Sequence, residues 1–288
     1  SIDSLMAWIG GSLGQTTDYY CSVETADSRH TLVARDGSLF SVIRLNGATE
    51  LVGPQEFDKI HRGLINTFSP ALSRLGHAVQ VYFHYDKDLV KDEIRDIFKP
   101  AMATCERLKM DLHDLFEERI NHLSKFCASE DCFFVLWTRP NSLTKAQLEQ
   151  SRKNKLEHTK DVKLPSMKNA QNIMAAVPEL RETHDSFVRS AVNDMRDVNL
   201  YAVILDVHQA VYEMRRSVDP DYTDKEWRPV LPGDKIPIRN ITDPKRRDVS
   251  EIVWPPLVPQ IIPRDGEIIN LRTCRIGDKI YATHYIDL

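Results

Sequence analysis

The run "DCFFVLWTRP" constrains this chain more than any other stretch. From Cys132 to Thr138 it is almost uninterruptedly apolar, and Pro140 ends it. A run of this length with aromatic and β-branched residues reads as a strand. Because it does not alternate, both of its faces must be covered. A protein built around such a strand needs apolar layers on either side, and the other periodic segments show where they come from.

Two turn pairs, Asp36-Gly37 and Asn46-Gly47, flank the apolar residues Leu39, Phe40, Val42, Ile43 and Leu45, and Thr31 to Ala34 lies just upstream. Both pairs tolerate positive φ, so the stretch reads as strand, turn, strand, turn. "HAVQVYFHY" (residues 77–85) alternates Val79, Val81 and Phe83 with polar neighbours and reads as a strand. "NLYAVILD" reads as a buried one, with Asp206 placed to cap a following short helix. A closing hairpin is expected around Gly277-Asp278.

Helical periodicity covers residues 54–75, through Phe57, Ile60, Leu64, Ile65 and Phe68, with Pro54 at the first turn and Pro70 expected to break or kink it. A long helical region is expected over 88–126, divided at Pro100. Its second half carries Leu108, Leu112, Leu115, Phe116, Ile120, Leu123 and Phe126 on one apolar face. Residues 179–199 form another amphipathic helix. Residues 220–263 hold nine of the fifteen prolines and read as an extended, surface-wrapping connection.

Strands and helices interleave, with hairpins at both ends. The expected fold class is therefore α/β of the α+β kind: a mixed β-sheet with long amphipathic helices packed on it. The chain of 288 residues is read as one unit. Its sub-regions are 1–140 (hairpin, helix and strand), 141–178 (a polar, basic linker) and 179–288 (helix and strand with the proline-rich connection).

The net charge of −4 excludes a polybasic nucleic-acid binder. No apolar run approaches the roughly 18 to 20 residues that span a bilayer. Two local charge excesses stand out. "SRKNKLEHTKDVKLPSMK" holds six Lys/Arg against two Asp/Glu, and "KIPIRNITDPKRR" holds five basic residues against one acid. Each reads as a solvated segment; a contact with acidic lipid head groups or an acidic partner is the alternative. Starting at Ser1, the chain reads as a processed or excised fragment.

Motifs for chemistry are absent from the sequence. There is no G-x-x-x-x-G-K-[S/T] loop: "GDK" at Gly233 and at Gly277 lacks the upstream glycine, and "GGSLG" at Gly10 lacks the lysine. There is no G-x-G-x-x-G turn and no G-x-S-x-G elbow. The cysteines, Cys21, Cys105, Cys127, Cys132 and Cys274, read as free thiols of a reducing compartment. Cys127 with Cys132, and His113 with His122, lack zinc spacing. Asp92-Glu93 and Glu117-Glu118 are adjacent carboxylates that a helix points apart. His184 lies among the apolar positions of its helix and reads as a packed histidine rather than a base. The expected site residues are therefore none: no catalytic, no cofactor-binding and no metal-ligating residue.

The order of these segments carries a resemblance. "DGSLFSVIRLNGATE", the long helix followed by "CFFVLWTRP", then "NLYAVILDVHQAVYEMRRSVDP" and the closing "CRIGDKIYATHYIDL" together resemble the N-terminal domain of the type IV secretion and conjugation ATPases. These are the VirB-type, TraC-like class, and the Dot/Icm branch is the most similar within it. The resemblance covers nearly the whole chain, although each piece is degenerate. It implies a non-catalytic assembly domain. A RecA-like motor following it would hold ATP and Mg, so neither cofactor is expected in this fragment. It also implies self-association as a hexamer or hexamer of dimers, contact with inner-membrane channel components, a partner hexameric ATPase, and no direct nucleic acid. The implied location is cytoplasmic and peripheral at the bacterial inner membrane. Residues 101–126 and the basic stretches near Lys153 and Arg246 are the candidate contact surfaces. The rival expectations are an independent scaffold or adaptor and a metal-dependent phosphodiesterase using scattered carboxylates.

Overall fold

A computed structural model of the chain describes residues 21–158, 178–220, 223–231, 234, 257–263, 266–269 and 273–282. Its elements begin with β1 (Val23–Ala26), β2 (Leu32–Ala34), β3 (Leu39–Ala48), α1 (Pro54–Leu72), β4 (His77–Asp86), α2 (Val90–Arg107), α3 (His113–Leu123) and β5 (Ser129–Thr138). They continue with α4 (Lys145–His158), α5 (Pro178–Asp197), β6 (Leu200–Ile204), α6 (Val207–Val218), α7 (Val258–Ile261), β7 (Gly266–Ile268), β8 (Thr273–Ile276) and β9 (Lys279–Ala282). The fold is α+β.

The main sheet has the order β1-β2-β3-β5-β4, and β6 also pairs with β3. All pairings described are antiparallel, so this sheet differs from the expected one of mixed strand direction. The reason is the connections. β4 and β5 are joined by a helical hairpin that returns the chain beside its starting point, and β2 and β3 by a tight turn. No parallel crossover is needed.

β5 sits between β3 and β4 and is covered on both faces. Phe133 and Val135 belong to a core with Phe40, Val42, Leu205, Ala210 and Val211, under α6 and α7. Phe134 and Leu136 belong to a second core with Ile43, Phe68, Val188, Val192 and Met195, under α1 and α5. The uninterrupted apolar run is therefore a consequence of two helical layers.

The first turn forms as expected. Gly37 has φ +82°, and Asp36 accepts hydrogen bonds from the Ser38 amide and hydroxyl, both at 2.9 Å. The second expected turn does not form. Asn46 and Gly47 lie inside β3, and Gly47 (φ +101°) marks a slip in the β3–β6 register between Leu45 and Ala48. A glycine of positive φ inside a strand lets it bulge without ending. Past it, pairing with Leu200 resumes.

Neither Pro70 nor Pro100 ends its helix. The region 88–126 is two helices, and it divides at residues 108–112 rather than at Pro100. Lys109 adopts a left-handed φ of +56° there. Folding back buries Val90 and Ile94 of α2 against Ile120 of α3, with Phe98 and Leu123 packed on them. One continuous helix would have left that face in water. The single stripe over 108–126 is accordingly interrupted: Leu108, Leu115 and Phe126 are exposed while Ile120 is buried.

Residues 145–158 of the basic region form α4, and Lys153 is exposed. Arg246, with most of the proline-rich connection, lies outside the described residues, as do Gly10, Gly233 and the expected strand residues after Ala282. Within the described part of that connection, α7 is a short regular element where the sequence predicts none. The amide group of Gln260 in α7 makes two hydrogen bonds with the Val230 backbone, 2.8 and 3.0 Å, pinning the two segments together. The closing hairpin is β8–β9, turning at Gly277 (φ +60°), with β7 added beside β8.

Candidate functional site

Two buried polar assemblies and the exposed apolar surfaces are the places where function could reside. The first assembly centres on His184 of α5. It is fully buried, with its ring between β3 and β5. Ser41 Oγ donates to the His30 carbonyl at 2.7 Å, which commits the hydroxyl proton. The 2.9 Å contact from Ser41 Oγ to His184 Nε2 is then an Nε2–H donating to oxygen. That leaves Nδ1 as an acceptor for the Thr138 hydroxyl, also 2.9 Å away. Thr138 Oγ1 in turn lies 3.3 Å from His77 Nδ1. Every heteroatom of the row is satisfied by a neutral His184. Burial holds its pKa down at about 3, and His77 pushes the same way. So weak a base, with no carboxylate among its partners, is a packed histidine, in keeping with its apolar setting in the sequence.

The second assembly has no counterpart among the sequence expectations. Arg44 of β3, Asp131 of β5, and Glu213 and Arg216 of α6 meet on the opposite face of the sheet. Arg44 bonds Asp131 at 2.7 Å and lies 3.7 Å from Glu213. Arg216 bonds Glu213 at 2.8 Å and closes the ring through Asp131. Two carboxylates face two guanidinium groups, so the formal charges cancel. Burial pushes the Glu213 carboxyl up, while Arg216 and Arg44 pull it back. For Arg216, burial opposes the charge, but Glu213 and Asp131 outweigh it and raise its pKa. The signal in the sequence is that Arg44 and Asp131 interrupt apolar strands at inward-facing positions.

A cleft of about 340 Å³ opens beside this ring, lined among others by Tyr82, Asp92, Glu93, Asp96, Asp131 and Lys225. Its acidic groups are already engaged. Asp96 is held down to about 2 by Lys225 and Lys99. Glu93 accepts from Ser129 at 2.8 Å, Asp92 pairs with Arg95 at 3.2 Å, and Glu117 also pairs with Arg95 at 3.2 Å. One carboxylate from each adjacent pair, Asp92 and Glu117, therefore meets on the Arg95 guanidinium, while Glu93 is turned to Ser129.

Among the described residues, no three His, Cys, Asp or Glu side chains are grouped so as to hold a metal ion. Cys105, Cys127 and Cys132 are free thiols. The His122 ring packs tilted against Phe126, with the ring centroids 5.1 Å apart. Among the described residues, no helix is long and apolar enough to cross a membrane.

The exposed apolar side chains include Phe57, Ile65 and Leu72 on α1 and two further sets. On the α2–α3 hairpin they are Ile97, Leu108, Met110, Leu115 and Phe126; on β4 they are Val81, Phe83 and Tyr85. The first set includes the surface expected over 101–126, and the second is new.

No protein-family model matches the chain, and no curated protein sequence matches it.

Proposed function

We propose that the chain is a non-catalytic N-terminal assembly domain of a type IV secretion ATPase, of the VirB-type, TraC-like class and most like the DotO (IcmB) type of the Dot/Icm branch. Its task is to bring motor domains together and to dock them on inner-membrane channel components from the cytoplasmic side. The motor, with its ATP and Mg, lies beyond this stretch, and a second hexameric ATPase docks on that motor.

One observation carries the reading. Three of the four segments on which the resemblance rests are contiguous in space: Leu39–Leu45 pairs with Cys132–Thr138 on one side, and Ile43–Ala48 with Leu200–Ile204 on the other. Segments far apart in sequence thus act as one structural unit, as an inherited domain requires. The satisfied polar assemblies support a structural role, since neither leaves a group poised for reaction.

The test is the reading frame beyond Leu288. A G-x-x-x-x-G-K-[S/T] loop there is the expected result, together with no ATP binding by the 288-residue chain in calorimetry. Micromolar ATP binding by this chain, or a frame that ends without a Walker loop, overturns the reading; the second result leaves an independent scaffold.

A further inference from the structure

We infer that β4 is a self-association edge, at which two copies of the chain pair antiparallel about a two-fold axis. For its biological role this rests on the assembly reading above; its geometry stands on β4 alone.

β4 is the last strand of the main sheet, and among the described residues no strand pairs with its outer side. Sheet edges are ordinarily blunted by shortness, bulges, proline or lysine, because bare backbone groups recruit other strands. The other edges obey this: β1 has four residues and an irregular register between Val23 and Thr25, and β6 has five residues and a register slip against β3. β4 has ten residues and none of these devices. Its register with β5 is unbroken from His77↔Thr138 to Asp86↔Ser129, and "HAVQVYFHYD" contains no proline, lysine or arginine.

The side chains match the bare edge. Val79, Val81, Phe83 and Tyr85 lie opposite Leu136, Phe134, Cys132 and Glu130, so they share the face of the core beneath α1 and α5. Yet Val81 is 56% exposed, Phe83 58% and Tyr85 51%. The apolar face runs past its helical cover and out to the edge of the sheet.

Charge selects a second copy as the occupant. Arg74 lies just before β4 and His77 at its start, while Asp86, Lys87 and Asp88 lie at its end, so the start is basic by one charge and the end acidic by one. Antiparallel pairing of two copies sets each basic end beside an acidic one. With Tyr82 opposite its own copy, Val81 faces Phe83 and Val79 faces Tyr85, so both faces stay in phase across the joint. A parallel arrangement would set like charges together.

The experiment is sedimentation equilibrium of the 288-residue chain, with hydrogen–deuterium exchange followed over residues 78–86. The expected result is a dimer whose formation slows exchange in β4. Phe83→Lys, an exposed position, weakens it by about tenfold or more, since each dimer loses two cross-strand apolar pairs. Val81→Lys acts alike. Arg74→Glu weakens the dimer too, and more so at low salt. A chain monomeric at all concentrations, or a dimer indifferent to both lysine variants while circular dichroism shows them folded, overturns the proposal. So does a dimer that Arg74→Glu leaves unchanged, which would assign the edge to some other strand. If the lysine variants do not fold, the exchange of β4 against concentration decides alone. A monomer overturns the pairing but not the motor reading, and a reading frame without a Walker loop does the reverse.

Discussion

Ser41 Oγ stands 2.9 Å from His184 Nε2, and this contact joins β3 to α5 inside an otherwise apolar layer. With Thr138 on the other ring nitrogen, the pair ties both central strands to the helix that covers them. A buried network stabilises only when every member is satisfied, and in this one every member is.

The acid stability of the protein follows from that burial. His184 titrates at about 3 in the folded chain against 6.5 when unfolded. Above pH 6.5 both states are neutral and the group contributes nothing to the pH dependence. Between pH 6.5 and about 3 only the unfolded chain takes up the proton, so stability falls with falling pH by about 1.4 kcal/mol per unit from this group. Urea unfolding across that range reads the slope, and His184→Gln flattens it while lowering stability at neutral pH.

Removing Asp131 leaves Arg44 and Arg216 to share the single carboxylate of Glu213. The carboxylate is 6% exposed, whereas Arg44 and Arg216 retain 39% and 30%. Asp131→Ala is therefore expected at the lower end for a broken buried pair, a loss of about 3 kcal/mol. The midpoint of a guanidinium chloride titration measures it.

Helix α1 approaches the end of α5 through Gly63. A methyl group there would stand 2.3 Å from Val198 Cγ1. Helix propensity favours alanine by about 1 kcal/mol, but overpacking costs about 1–3 kcal/mol. Gly63→Ala is expected to lower Tm, and Val198→Ala in the same chain to recover part of the loss. Thermal melts of the two single variants and the double variant test the coupling.

Cysteine reactivity separates by position. Cys127 is exposed, while Cys132 is half-buried in β5 and burial pushes its thiol up. At pH 8 Cys127 is expected to react with iodoacetamide roughly tenfold faster or more. Peptide mass spectrometry over time distinguishes them.

The elements legible in the sequence are those with local causes. The Asp36-Gly37 turn, the double-sided strand at Cys132 to Thr138 and the Asp206 cap all follow from short-range sterics and hydrogen bonding. In the cap, Asp206 accepts from the Gln209 amide at 2.8 Å. Asn46-Gly47 has the same local chemistry as Asp36-Gly37, yet it bulges within a strand, because β6 from far along the chain supplies a partner on the other side.

The helix break at residues 108–112 was illegible for a related reason. Periodicity records which side of a helix is apolar, but not what covers it. Pro100 drew the boundary to itself, while the gain from burying Val90, Ile94 and Ile120 together placed it between residues 108 and 112. The ring of Arg44, Asp131, Glu213 and Arg216 likewise joins two strands and a helix that lie far apart along the chain. No local pattern encodes such a meeting.

By itself, the sequence determined the α+β class, most of the elements, the need to cover β5 on both faces and the lack of recognised catalytic motifs, because these depend on residue type and spacing within a few turns. Tertiary structure alone decided the strand order, the antiparallel sense of the sheet, the partners of each buried charge and the bare edge at β4. Those depend on which distant segments meet, and burial free energy settles that over the whole chain at once.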